Sequence, residues 1–334
     1  MGFYVRHEAS FGHDTGGHPE NAARLVAIEQ ELAARDWLGL EVQEAPPAGH
    51  DQLLRVHSAE HLSSLESLSA SGGGRIDMDT IASAGSWEAA LHAAGGAAAG
   101  AELLVRGEHP FGICALRPPG HHAERARAMG FCLLNNVAVA CAHALETLGC
   151  DRALVLDWDV HHGNGTEEIF YESERLLFAS IHESPLYPGT GAPGDIGSGA
   201  GSGFNVNLPV PGGTDGEAFL GLLHQVVAPI ARDFEPQLLA VSAGYDAHRA
   251  DPLGSCTLED EDYGAMAAVV RSLADELAAP VLVCLEGGYD TRALAGSVAA
   301  TVQGLSGERE SRPGDPDFAA PYRERLAATW PQIG

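Results

Sequence analysis

Short, almost uninterrupted apolar runs recur along the chain. They are GFYV from Gly2, FGICAL from Phe111, RALVLDWDV from Arg152, RLLFASIH from Arg175, QLLAVSAGYD from Gln237 and PVLVCLEGGYD from Pro280. Each has the length of a strand, and continuous apolar character predicts strands buried on both faces. Between them lie alanine-rich amphipathic stretches of helical length at Pro19–Ala34, Ser86–Val105, Asn135–Leu148, Asp215–Phe234 and Glu259–Ala278. This alternation predicts an α/β protein, a three-layer α/β/α sandwich around a mostly parallel sheet. The segment GERESRPGDPD (Gly307–Asp317) reads as a surface connection to a last short helix. No repeat or linker interrupts the pattern, so residues 1–334 are expected to form one domain.

Ligands of an open parallel sheet bind beyond the carboxyl ends of its strands. Polar clusters fall at four such ends: RPPGHH (Arg117–His122), DWDVHH (Asp157–His162), SAGYDAH (Ser242–His248) and LEGGYD (Leu285–Asp290). Asp157, Asp159 and His161 would start on one side of a regular strand. The glycines of HHGNG suggest a bend that gives them different tasks. Asp159 and His161 are good ligands for a divalent cation, and Asp246 can complete the three that a catalytic zinc site requires. Two carboxylates make a hard site, so iron and manganese also fit the trio. His121 and His122 stand on a stiff Pro-Pro-Gly corner, where paired imidazoles can serve as base and acid. Tyr289 follows two glycines and can donate to an oxyanion.

Composition narrows the class. The formal charge of −27 argues against nucleic-acid binding and favours cationic substrates such as amines or basic peptides. There is no lysine, which excludes a Schiff base and a P-loop. The six cysteines form no CxxC pair and read as reduced core residues. Residues 1–10 carry no signal-peptide pattern and no run is long enough to span a membrane, so a cytoplasmic protein is expected. GTGAPG (Gly189–Gly194) matches a dinucleotide fingerprint, but the surrounding prolines and glycines forbid the helix it must open, and it reads as pocket rim. Asp14, His13 and His18 either line the entrance or lie on the surface, with the surface favoured for His13. His57, His61, His92 and His143 read as structural or solvated helix residues.

The motifs GHPENAARL, RPPGHHA, GFCLLNN, DWDVHHGNGT, YPGTG, SAGYDAHRADPLG and LEGGYD follow one another over almost the whole chain. Together they resemble the histone deacetylase family, in its class II-like bacterial branch of histone deacetylase-like amidohydrolases. The resemblance implies the arginase/deacetylase fold, one zinc per chain, and hydrolysis of N-acetyl or longer N-acyl amides of lysine side chains or polyamines. It places the zinc on Asp159, His161 and Asp246, the active-site histidines on His121 and His122, and the carbonyl-polarising phenol on Tyr289. Asp157 would partner the first histidine, and Asn164 the second, where class I relatives carry aspartate. Phe131 and Tyr187 would wall the tunnel, Gly130 would contribute backbone, and Leu253 would stand at the rim.

The family also implies a structural potassium around Asp157, Asp159, His161, Ser180 and Ile181, and a second near Phe170 and Phe204. By analogy alone, Arg24 faces an acetate exit route. The implied partner is an acylated lysine peptide or an acetylated amine. An acetylpolyamine amidohydrolase is the alternative, although leucine at 253, where polyamine-preferring relatives can carry glutamate, tilts toward acyl-lysine. A manganese ureohydrolase of the same fold is opposed by the paired histidines, by Tyr289 and by the lack of a second D-x-D set. A non-catalytic binding module is opposed by the filled catalytic positions.

Overall fold

The computed structural model describes residues 1–333. Its strands are β1 (Phe3–Arg6), β2 (Glu41–Glu44), β3 (Gly73–Arg75), β4 (Ile81–Ser83) and β5 (Phe111–Cys114). They continue with β6 (Ala153–Asp157), β7 (Leu176–Glu183), β8 (Asn205–Val210), β9 (Leu238–Ala243) and β10 (Val281–Leu285). The main sheet runs β2–β1–β5–β10–β9–β6–β7–β8, and every neighbouring pair is parallel. β3 and β4 form a small separate antiparallel pair.

Side chains alternate across the sheet as the strand period requires. Leu154 and Leu156 of β6 join the core under the helices Ala23–Ala34, Asp260–Leu277 and Thr291–Ser306. Ala153 and Val155 face the other way, against Ser86–Val105 and Asn136–Thr147. The sheet is therefore covered on both faces, and the α/β/α sandwich is the one expected. At the start of Ala23–Ala34, Pro19–Ala22 stay outside the helix, and Gly216–Phe234 is one helical path with a π-turn at Leu223–Val227.

Several elements lie outside the expected pattern, among them the edge strands β2 and β8 and the helices Ala59–Ala70 and Thr291–Ser306. The helix Thr291–Ser306 buries Leu294, Val298, Val302 and Leu305 at helical spacing among alanine, glycine and serine, a periodicity that the sequence carries but that the expected pattern did not include. In β8, Asn205 and Asn207 break the apolar run. They point inward, and both amides donate to Glu167 Oε2 at 2.6 Å. No helix among the described residues is long and apolar enough to cross a membrane.

The topology places the site. β5, β10, β9 and β6 are consecutive in the sheet. Their carboxyl ends carry RPPGHH, LEGGYD, SAGYDAH and DWDVHH, so segments as far apart in sequence as residues 121 and 289 meet at one edge.

Candidate active site

β6 stops at Asp157, and the chain bends through hydrogen bonds made by its own aspartates. Asp157 Oδ1 accepts the Asp159 amide at 3.1 Å, and Asp159 Oδ1 accepts the His161 amide at 2.8 Å. Side-chain turns of this kind replace the strand ladder and break the two-residue period. Asp157 thus faces the His121 corner, while Asp159 and His161 face the loop after β9. There Asp246 Oδ1 accepts the Val160 amide at 2.9 Å, which leaves Oδ2 pointing to His161.

His161 Nδ1 lies 3.1 Å from both Asp159 Oδ1 and Asp246 Oδ2. One ligand atom from each of the three residues falls within 4.8 Å of the others, and all three residues are buried. The Gly287 amide donates to Asp159 Oδ2 at 2.8 Å. A Cβ at 287 would sit 2.0 Å from Asp246 Oδ2 and 2.6 Å from Asp159 Oδ2, so only glycine lets β10 close over the pair. Two buried carboxylates with no arginine paired to either among the described residues demand a cation. One imidazole nitrogen and two carboxylate oxygens, with their outer lone pairs tied to backbone amides, form a donor set that fits a divalent metal.

The two adjacent histidines are held differently. His121 Nδ1 donates to Asp157 Oδ2 at 2.9 Å. Burial disfavours its imidazolium, but the charges of Asp157 and Asp159, the hydrogen bond to Asp157 and the charge of Glu286 outweigh that and raise its pKa. His122 Nδ1 meets Asn164 Oδ1 at 2.8 Å. The Asn164 amide is oriented because its Nδ2 donates to Glu124 Oε1 at 2.8 Å, so Oδ1 is the acceptor and His122 Nδ1 carries the proton. Nε2 of His122 is left with a free lone pair. Burial and the nearby His121 and His161 lower its pKa well below the usual value, so this imidazole stays neutral.

A cavity of about 220 Å³ opens onto these groups. His122, His161 and Tyr289 form its floor, Phe131 and Tyr187 its walls, and Gly130 and Leu253 also line it. Tyr187 stands edge-on to His122, with ring centroids 5.1 Å apart, and Phe131 stands edge-on to Tyr289 at 5.8 Å. Gly130 has φ +56°, and a Cβ there would lie 2.3 Å from His122 Cδ2, so the corner beside this imidazole requires glycine. Burial raises the Tyr289 phenol well above its ordinary pKa against the lowering effect of Arg24, which keeps it a proton donor. Leu186 and the exposed Asp79 line the cavity too, and neither was expected.

Behind this surface lies an ionic network whose carboxylates and arginines stand in the sequence motifs but whose pairing those motifs do not give. Glu20 Oε1 accepts from Arg117 Nε and from Arg24 Nη1, the latter at 3.2 Å, and Glu20 Oε2 accepts from Arg117 Nη2 at 2.8 Å. Arg24 also donates from Nε to Gly288 O at 2.7 Å and from Nη2 to Glu286 O, and its guanidinium lies 5.1 Å from the Tyr289 ring centre. Glu286 Oε2 in turn accepts the Gly120 amide at 2.6 Å and the His121 amide at 3.0 Å. His13 is not on the surface. It is buried, with Nδ1 2.6 Å from Ser86 Oγ and Nε2 3.5 Å from Glu20 Oε2. His57 likewise lies in the link before the helix Ala59–Ala70, with Nδ1 on Glu124 O and the Asn135 amide donating to Nε2.

Burial alone would raise the Glu20 carboxyl, but the Arg117 charge, hydrogen bonds from His13 and Arg117, and Arg24 hold it well below the usual range. A depressed folded-state pKa means that this stabilisation is complete above the unfolded value of about 4.3 and is lost as pH falls below it. Glu20→Ala leaves two buried guanidinium groups unpaired. It is expected to lower stability by about 3–5 kcal/mol in denaturant unfolding at neutral pH. The deficit against the parent should shrink as the titration is taken below pH ~4.

The residues matched by a family profile described as histone deacetylase domain are 18–305. A probable deacetylase of Methanothermobacter thermautotrophicus is 41% identical over 320 residues, which cover 95% of this chain and 93% of that protein. The histone deacetylase-like amidohydrolase of Pseudomonas aeruginosa is 38% identical over 315 residues, or 93% of this chain and 81% of that one. Among solved structures, the crystal structure of the HDA15 HD domain superposes with a TM-score of 0.93 at 35% identity. It covers 100% of this chain and 97% of that chain.

Proposed function

From the chain's membership of the histone deacetylase family, a family of hydrolases that remove acyl groups, we propose that it is a zinc-dependent deacetylase of acyl-lysine amides acting through a single domain, residues 1–334. The observation that carries the reading is the meeting of Asp159, His161 and Asp246 with two imidazoles and a phenol on one narrow cavity. Asp159, His161 and Asp246 would hold the zinc, which when bound polarises the amide carbonyl and acidifies water.

The chain's own groups do the rest. His122 Nε2, neutral and with its lone pair free, takes a proton from the attacking water and passes it to the departing amine nitrogen. His121, held by Asp157, supplies positive charge beside the forming oxyanion. The Tyr289 phenol donates to that oxyanion. Phe131 and Tyr187 confine an aliphatic side chain so that its amide reaches the floor. One potassium is assigned to the backbone at Asp157, Asp159 and His161 with Ser180 and Ile181. In support, Asp157 and Ser180 are register partners on β6 and β7. A second is assigned near Phe170 and Phe204. Six buried, unpaired cysteines support a reducing compartment such as the cytoplasm.

An acetylpolyamine is the second reading, and one observation favours it: Asp79 brings a carboxylate to the cavity mouth. Leu253, half-buried and lining the same cavity, offers none. Turnover of an acetyl-lysine peptide is therefore expected to exceed that of acetylputrescine and acetylspermidine under identical conditions. The reverse order would transfer the assignment to polyamines, and inactivity on all three with zinc bound would overturn it.

A further inference from the structure

The turn that presents Tyr289 follows two glycines, Gly287 and Gly288, the second with φ +115°. Such a turn has no stiffness of its own. The next element begins only at Thr291, where the Asp290 side chain caps the helix through the Arg292 and Ala293 amides. Tyr289 therefore sits in the gap between two fixed segments. Its amide would lack a partner but for one carboxylate. Asp251 Oδ2 accepts the Tyr289 amide at 2.6 Å and the Asp290 amide at 3.3 Å, and Asp251 Oδ1 accepts the Leu253 amide at 3.0 Å.

Asp251 lies on the loop after β9, five positions beyond Asp246, and is only 8% exposed. One side chain thus ties the loop that carries Asp246 and Leu253 to the turn that carries Tyr289. Tyr289 and Leu253 both line the cavity, and both are fixed by the two oxygens of this one group. Burial and the charge of Asp246 push the carboxyl up to about 7 against the three amide hydrogen bonds. A carboxylate kept in such a place satisfies amides that no nearer group reaches.

We infer that Asp251 is a positioning residue for the deacetylase reaction, acting through Tyr289: it holds the backbone of the oxyanion-donating phenol and of the rim leucine in register across the cavity. The inference rests on the reading given under the proposed function.

A double-mutant cycle tests it. Asp251→Ala and Asp251→Asn are made in the parent and in Tyr289→Phe, and kcat, KM and bound zinc are measured on an acetyl-lysine peptide. In the parent, Asp251→Ala should lower kcat at least about tenfold with zinc still stoichiometric, and in Tyr289→Phe the same change should cost less than about twofold. Asp251→Asn keeps the size of the side chain and one acceptor oxygen, so it should fall between the parent and the alanine variant. It also carries the test if alanine fails to fold. Equal fold-losses in the two backgrounds, or an unchanged kcat in the parent background, would overturn the inference alone. A parent protein inactive on every acyl amide would overturn the underlying reading, and the inference with it.

Discussion

Asp246→Asn is expected to purify as a folded protein that binds zinc weakly and turns over an acyl-lysine substrate at least about a thousandfold more slowly. The size follows from what the three ligands do together. Metal-assisted polarisation contributes several kcal/mol to the transition state, and each 1.36 kcal/mol is a factor of ten. Asparagine keeps the oxygen that accepts the Val160 amide, which anchors the loop to the β6 end. It removes the charge that faces His161 Nδ1 at 3.1 Å. Folding should survive, because the change also relieves repulsion between two buried carboxylates that share one imidazole. Elemental analysis of the dialysed protein and a zinc titration of activity check this. A variant that retains one tightly bound zinc and more than about a tenth of the parent's kcat would show that Asp246 is not a ligand.

The parts of the architecture legible in the sequence are those where two signals coincide. The ends of β5, β6, β9 and β10 combine an apolar run with a sudden polar cluster, and that contrast marks both a strand and its functional edge. Where contrast is weak the reading thins out. In β8 the inward asparagines that meet Glu167 interrupt the apolar run, whereas the helix Thr291–Ser306 does carry a helical period in Leu294, Val298, Val302 and Leu305.

The supporting carboxylates were hidden for a different reason. Glu286 serves the Gly120 and His121 amides from 166 and 165 positions away, Asp251 serves Tyr289 from 38, and Glu20 pairs Arg117 across 97. All three stand inside the family motifs, but nothing local says which amides or guanidinium groups they serve. Their role is created by the sheet order, which sets β10 between β5 and β9. His13 shows the same limit, since only the placement of Ser86 and Glu20 makes its burial tolerable. The trio at Asp159, His161 and Asp246 was visible because two of its members share one strand end and the third closes an equally polar one.

Tyr289→Phe should separate metal binding from oxyanion stabilisation. The phenol contributes a hydrogen bond whose partner acquires negative charge only as the amide is attacked, so its loss falls on kcat and leaves substrate affinity nearly untouched. Removing one such donor costs roughly 2.7–4 kcal/mol, or about 100- to 1,000-fold. The ring itself should stay in place. Phe131 meets its face edge-on at 5.8 Å, the Arg24 guanidinium stacks 5.1 Å from its centre, and its backbone is tied to Asp251, none of which involves the hydroxyl. Zinc content and KM are therefore expected to match the parent. Because burial keeps this phenol protonated across the working range, the pH–rate profile of the variant should keep the parent's shape at lower height. A large rise in KM, or a limb of the profile that disappears with the hydroxyl, would mean that Tyr289 binds the ground state or titrates during turnover instead of holding the oxyanion.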